Sequence, residues 1–224
     1  MEPKGDICVI ISGGQYTPII EKIKEDYVIA SYVIACDKGF DYATRAGITP
    51  NLVIGDFDSC KEATRELLIN IEEKKEFTIE RYPSEKDDTD TMLAIKRALA
   101  LGYRRICIYC GLGGRVDHLY ANMQSLVYAA GQGVICSMED EENCIYALGK
   151  GVLELPRREG WSVSLFAVTD VCRGITTKGL KYPLENGELV NSFPLGMSNE
   201  WIEEQATVEL KEGIMLVMLS KKEA

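Results

Sequence analysis

The chain has 224 residues, 46% of them hydrophobic and 27% charged, with a formal net charge of −10. That length suffices for one large domain or two small ones. The acidic balance, with no basic stripe against it, excludes a general nucleic-acid binder. No run of about 18 apolar residues occurs, so no membrane span is expected.

In chain order, MEPKGDICVIISGG sets an acid and a proline ahead of a short apolar run, which speaks against a secretory signal. ICVII (7–11) reads as a first strand running into ISGGQ, where Ser12, Gly13 and Gly14 suit a loop that lets the backbone approach an anion. YVIAC (32–36) is the second strand, with Asp37 at its end, and NLVI (51–54) the third, running into GDFDS with Asp56 and Asp58 on either side of Phe57. FTIERY (77–82) is stopped by Pro83, and KDDTD then carries Asp87, Asp88 and Asp90 into a helix over Thr91 to Leu101. Met92, Ile95 and Leu99 share one face of that helix and Lys96 and Arg97 another. One of Asp87 or Asp88 is the expected N-cap, with Asp90 in the first turn. ICIYC (106–110) leads through GLGGRVDH into a helix from about Asp117 to Ala130, with Leu119, Met123, Leu126 and Val127 inward, and VICS (134–137) is the last strand of the series. Strand–helix alternation with near-continuous apolar strands implies an α/β fold, a mostly parallel sheet flanked by helices.

After Met138 the texture changes. EDEEN is an acidic break, and the β-type runs NCIYAL, GVLEL, WSVSLFAV, ELVNSF, ATVELK and GIMLVML follow, with hairpin turns expected at GK–G, ENGE and KEG. Two domains result, residues 1–138 and residues 139–224, the second an all-β sandwich or barrel. The eight cysteines fall mostly inside apolar runs and are expected to be reduced core residues of a cytoplasmic protein. Cys107 and Cys110 have CxxC spacing but sit within a strand with no second pair nearby, so neither a zinc site nor a redox motif is expected there.

In a parallel α/β sheet, ligands bind outside the carboxyl ends of the strands, and that rule gathers the loops into one site. Asp56 and Asp58 repel one another at the end of a buried strand, which calls for a positive partner. Capping accounts for one or two acids, not for Asp87, Asp88 and Asp90 with two more on a neighbouring loop. The cluster is rich in oxygen donors and the single histidine is His118, which favours Mg2+ carried with a nucleotide over zinc or a calcium cage. Gly113 and Gly114 before a helix N-terminus suit phosphate, and Arg115 can fork onto its oxygens. Asp117 is either an N-cap or a group orienting Arg115 or a substrate, and His118 is not expected to act as a base. GLGGRV can also be read as a dinucleotide fingerprint interrupted by Val116, with Glu139 just after the next strand. That reading makes the chain a nicotinamide-dependent oxidoreductase and leaves GDFDS and KDDTD without a task.

GDFDS, EKDDTD, GGRVDH, GLKYPL and SNEW, in this order, resemble the thiamine pyrophosphokinases, and the resemblance runs from ISGG nearly to the end of the chain. It implies an N-terminal α/β domain, a thiamine-binding C-terminal β-sandwich, a homodimer, and transfer of the pyrophosphoryl group of ATP to the hydroxyethyl group of thiamine with release of AMP. Carried over by motif, Asp56 and Asp58 would be Mg2+ ligands, with Asp87 and Asp90 completing the acidic site. Lys86 and Arg115 would contact phosphates, beside the Ser12–Gly13–Gly14 and Gly113–Gly114 loops, while Asp37 and Asp117 would lie at the substrate edge. Asp88 falls at a position the family does not fix and stays a capping candidate. Ser198 and Asn199 match the thiamine-binding segment. Tyr182 stands where some relatives carry Trp, and a Tyr face also attracts the cationic thiazolium ring. A non-catalytic thiamine- or nucleotide-binding regulator would share the fold without making AMP.

Overall fold

The apolar runs of the first half become parallel strands. The computed structural model describes residues 7–21, 30–57, 77–83, 85 and 87–222. By Cα packing the chain divides into two units, Met1–Ser125 with Met138–Glu141, and Leu126–Ser137 with Glu142–Ala224.

In the first unit β1 (Ile7–Ile11) pairs in parallel with β2 (Ala30–Cys36) on one side, Val9 opposite Val33, and with β5 (Arg105–Tyr109) on the other, Val9 opposite Cys107. Beyond β2 lie β3 (Leu52–Gly55) and β4 (Thr78–Arg81), also parallel, and β6 (Ile135–Glu139) brings its last two residues into this unit. Ile10, Ile34, Leu52, Ile54 and Ile108 are fully buried, each contributing about 1.5–3 kcal/mol of apolar burial. That is why these strands read as unbroken apolar runs. Strand β4 ends the sheet and is charged and partly exposed, as an edge requires. Arg97 ties that edge to the neighbouring helix through Glu80 at 3.0 Å.

Among the described residues α1 (Gly39–Ala46) and α2 (Asp90–Ala100) pack on this sheet, and α3 (Val116–Gly131) follows the loop after β5. Helix α1 buries Gly39, Phe40, Ala43 and Ala46, an i, i+1, i+4, i+7 stripe of mostly small residues. The expected cap of α2 is corrected: Thr89 is the N-cap, its hydroxyl accepting from the Met92 N–H at 3.2 Å, while Asp88 accepts from Lys96 at 2.7 and 2.8 Å. The buried face of α2 is also shifted, to Thr91, Ala94, Ile95 and Ala98, with Met92 and Leu99 half-buried. On α3, Leu126 is buried as expected, but Leu119, Met123 and Val127 are half-buried, and Asn122, Ser125 and Ala129 are buried beside Leu126. On α2 two alanines and Thr91 flank the fully buried Ile95, so mostly small residues let the helix approach the sheet.

The second unit is an antiparallel β sandwich. One sheet runs β12 (Gly196–Asn199), β9 (Trp161–Ala167), β14 (Met215–Lys221), β7 (Asn143–Leu148); the other runs β11 (Gly187–Val190), β10 (Val171–Lys178), β13 (Gln205–Leu210), β8 (Gly151–Pro156). Burial alternates along β8, β9 and β13 with a period of two, and the inward side chains, among them Leu153, Leu155, Val163, Leu165, Val208 and Val217, form one core between the sheets. Strands β10 and β12 are absent from the sequence reading. The pairing of β10 with β11 slips between Arg173 and Ile175, where Gly174 takes φ 68°, so the alternation of VCRGITTK is broken by a bulge. Strand β12 is a short, largely exposed edge. Two of the three expected hairpin turns are corrected as well: GK–G joins β7 to β8 and KEG joins β13 to β14, and each crosses from one sheet to the other.

Candidate active site

Because β1, β2, β3, β4 and β5 are parallel, the loops after them emerge at one edge of the sheet. The loop after β1 lies between the ends of β2 and β5. The Ser12 N–H donates to the Tyr109 carbonyl and the Gly14 N–H to that of Cys110, both at 2.9 Å, while the Tyr42 hydroxyl donates to Gly14 O at 2.8 Å. The buried Ser12 hydroxyl lies 2.8 Å from that of Thr91, one residue past Asp90. A Cβ on Gly14 would stand 2.5 Å from the Cys110 carbonyl oxygen, so the close approach demands glycine. A Cβ on Gly13 would meet only ordinary contacts at 3.5 Å or more. Packing does not explain Gly13.

The main chains of three aspartates, Asp37, Asp56 and Asp90, lie near one another beside this loop. The Asp37 N–H donates to Ile54 O at 2.8 Å, and its Cα lies 3.1 Å from where a Cβ on Gly55 would be, which sets Asp37 shoulder to shoulder with the Gly55–Asp56 turn. The Asp90 carbonyl accepts from the Cys36 thiol at 3.6 Å, next to Asp37. All three aspartates are half-buried. Phe57 is buried in the core of the first unit with the Arg81 guanidinium 5.1 Å from its ring centroid, so the aromatic between the paired acids is a plug that anchors their turn. Asp87 is exposed, and Asp88 is engaged with Lys96. Asp58 and Lys86 lie outside the described residues. Among the described residues no group of three or more His, Cys, Asp or Glu side chains forms a metal cage.

The glycine loop before α3 has Gly113 at φ 74° and Gly114 at φ 73°, with the Gln15 side chain packed where a Cβ on Gly113 would go. Arg115 and Asp117 are exposed and bound to each other, Arg115 Nη2 donating to Asp117 Oδ2 at 2.6 Å and Nε to Oδ1 at 3.1 Å. Their hydrogen bond holds the Asp117 carboxyl below the usual carboxylate range and raises Arg115. Of the two roles open to Asp117, the structure has it orienting Arg115. His118 is exposed, its N–H donating to Asp117 Oδ1 at 2.9 Å. Cys110, buried behind this loop, has its thiol pushed up to about 11 by burial, which leaves it protonated and inert at neutral pH.

In the second unit Asn199 is a clamp. Its Oδ1 accepts from the N–H groups of Tyr182 (3.0 Å) and Glu200 (2.9 Å), and its Nδ2 donates to Tyr182 O at 2.8 Å. The amide thus holds the LKYPL segment against SNEW, leaving the Tyr182 ring exposed with Lys181 Nζ 5.5 Å from its centroid. Ser198 takes φ 56° and its N–H donates to Ser164 Oγ at 3.0 Å. Trp201 is buried, its Nε1–H donating to Leu155 O at 3.0 Å, so the last letter of SNEW serves the core. Sequence reasoning missed Thr91 and Tyr42, which fix the first glycine loop, and Glu141, which binds the turn following it. Only the rule that ligands gather at the carboxyl edge, applied to the residues after β6, could have drawn attention to Glu141.

A parallel sheet whose carboxyl edge gathers glycine loops and carboxylates, followed by an antiparallel sandwich, defines a nucleotide-handling α/β enzyme with a separate β unit. Two family models match in succession: the thiamin pyrophosphokinase catalytic domain over residues 26–137 and the thiamin pyrophosphokinase vitamin B1 binding domain over residues 152–215. The chain is 31% identical to the thiamine pyrophosphokinase of Bacillus subtilis (strain 168) over 188 residues, 84% of this chain and 86% of that one. The chain belongs to the thiamine pyrophosphokinase family. A crystal structure of thiamine pyrophosphokinase from Bacillus subtilis superimposes with a TM-score of 0.85 at 27% identity, covering 97% of this chain and 100% of that one. One from Geobacillus thermodenitrificans gives 0.81 at 26% identity, covering 97% and 98%.

Proposed function

We propose that this chain transfers the pyrophosphoryl group of ATP to the hydroxyl of thiamine, giving thiamine diphosphate and AMP, with Mg2+ as the metal. The observation that carries the reading is the meeting of Asp37, Asp56 and Asp90 with the Ser12–Gly14 loop at one sheet edge, in a chain matched by both halves of the family. The donors fit Mg2+: they are carboxylate oxygens, and this ion takes one or two of them and completes its shell with phosphate oxygens and water, so no closed protein cage is required. Asp56, Asp58 and Asp90 would hold it, with Asp87 at the margin. When bound, the ion withdraws charge from the phosphates. The chain's own groups do the rest. The two glycine loops let the phosphates approach the backbone, Lys86 and Arg115 meet charge that develops on them, and Asp37 and Asp117 line the substrate edge. Thiamine is assigned to the LKYPL and SNEW segments, where the exposed Tyr182 ring offers a face to the cationic thiazolium and Ser198 and Asn199 shape the backbone around it.

A homodimer is part of the same reading. It is supported by Tyr182, Phe193, Leu195, Met197 and Ile202, large side chains of the second unit that are more than half exposed. Six of the seven described cysteines are buried, which suits reduced core thiols of a cytoplasmic protein, and among the described residues no helix is long and apolar enough to cross a membrane. The test is chromatography of products from protein, thiamine and ATP, with and without Mg2+. Equal amounts of thiamine diphosphate and AMP, only with the metal, are expected. Thiamine monophosphate with ADP, or product without metal, overturns the proposal.

A further inference from the structure

The strand order of the first unit reverses at β1: the chain lays β2, β3 and β4 to one side and then returns to place β5 on the other. Such a switch point opens a crevice between the loops flanking it. Here the crevice is lined by Gln15, Tyr16 and Thr17 after β1, Cys110 and Leu112 after β5, and Asp140 and Glu141 after β6. Neutral donors leave the charge of a carboxylate in place but fix where it sits and hold the donors to it. Glu141 is engaged: Oε2 accepts from the Thr17 hydroxyl at 2.5 Å and Oε1 from the Ile19 N–H at 2.9 Å. Thr17 is buried, although it lies in the turn leaving the glycine loop. The front of that loop is held by Tyr109, Cys110 and Tyr42; its rear is held by this carboxylate, more than 120 residues away, and by the Cys110 sulfur, which accepts from the Thr17 N–H. Between the two anchors, Gln15 packs on Gly113 of the second glycine loop.

We infer that Glu141 is a positioning residue for ATP, fixing the Ser12–Thr17 loop through Thr17 and Ile19 and, through Gln15, the setting of Gly113 beside it. The inference rests on the reading of the first glycine loop as the phosphate cradle. A carboxylate with both oxygens spent on the protein has no contact to give the nucleotide, so its effect is felt as loop order. Loop order alters ATP binding more than the chemical step.

The test is steady-state kinetics of Glu141→Gln, Thr17→Val, Thr17→Ser, the Glu141→Gln/Thr17→Val double variant and Gly13→Ala, with thermal melts of each. Glu141→Gln and Thr17→Val are each expected to raise KM for ATP about three- to tenfold, the range set by one charge-assisted hydrogen bond at a partly exposed site. KM for thiamine and kcat should change less than about twofold. Thr17→Ser, which keeps the hydroxyl, should behave as the parent, and the double variant should be no worse than either single one. Gly13→Ala adds a methyl group in ordinary contact with Cys36 O and Lys38, restricts the backbone of the loop, and should raise KM for ATP independently of Glu141. If it does so while Glu141→Gln and Thr17→Val leave that KM unchanged, the role of Glu141 is overturned and the phosphate-cradle reading stands. If all three leave it unchanged, the reading itself falls and the inference with it. Equal increases in both KM values alongside a lowered melting temperature also overturn the inference, since they mark general loosening.

Discussion

Replacing Gly39 by alanine sets two effects of opposite sign against each other. Gly39 opens α1 with ordinary helical backbone, and on propensity alone alanine there gains up to about 1 kcal/mol. The new Cβ, however, would lie on top of the Ile11 carbonyl oxygen, 2.8 Å from the Ile11 carbonyl carbon and 2.9 Å from Ser12 O. These are backbone atoms at the end of β1. Ile11 is fully buried and paired with Ala35 on one side and Tyr109 on the other, so the strand cannot give way. The helix must move, and overpacking against a fixed wall costs about 1–3 kcal/mol or somewhat more. The clash therefore wins by about 2 kcal/mol, a fall in melting temperature of about 4–8 °C for a chain of this size. Gly131→Ala is the control, because Gly131 closes α3 with its nearest foreign atom, Ile214 Cδ1, at 4.0 Å. That change should be neutral or stabilise by up to about 1 kcal/mol. Calorimetric melts with urea titrations measure both. A Gly39→Ala protein melting within about 1 °C of the parent would refute the assignment of this contact as rigid.

Asp56→Asn and Asp58→Asn each remove a charged oxygen donor without adding bulk, and kcat should fall by at least about a hundredfold with the fold intact; near-normal turnover at ordinary Mg2+ would sink the metal assignment. Asn199→Ala releases Tyr182 from two hydrogen bonds and Glu200 from one, and is expected to raise KM for thiamine about tenfold while leaving that for ATP unchanged. Both values moving together in the kinetic assay would count against the clamp. The Asp117 carboxyl is depressed by its hydrogen bond to Arg115, so what the pair contributes is fully present above the usual carboxylate range and is lost as pH falls through the depressed value. NMR titration of Arg115→Gln should show the Asp117 midpoint rising toward that range; an unmoved midpoint would mean that Arg115 is not the cause.

What was legible in the chain, and what was not, divides along physical lines. A strand buried on both faces has to be apolar throughout, so β1, β2, β3 and β5 stand out in the sequence to within two residues at either end. The loops after them were legible because glycine and acids at the end of an apolar run have few other reasons to be there. Partners were not. Asp88 looks like a cap from its place before a helix, but Thr89 caps and Asp88 reaches Lys96 two turns along. Asn199 resembles a ligand contact by motif, yet its amide is consumed by the backbone of Tyr182 and Glu200. The acidic break EDEEN hides Glu141, whose donors lie more than 120 residues earlier. Hydrogen-bond partners follow from the assembled sheet, and no local period records them.

The turns themselves carry the least legible part of the site. Asp37 (φ 48°), Phe57 (φ 62°) and Cys110 (φ 58°) adopt left-handed backbone just beyond β2, β3 and β5. Each such residue that is not glycine costs about 1–2 kcal/mol, and glycine would relieve that cost at all three places. The chain keeps a side chain at each instead. Phe57 fills the core under the acidic turn, Cys110 is buried behind the second glycine loop, and Asp37 lines the acidic edge. Strain of this kind persists only where the surroundings over-determine it, and each of these turns is held by a buried parallel ladder on its strand side. The sharp bends that aim Asp56 and the glycine loops are thus set by the sheet beneath them, so the rigidity of the core and the placement of the charged edge are one property of the fold.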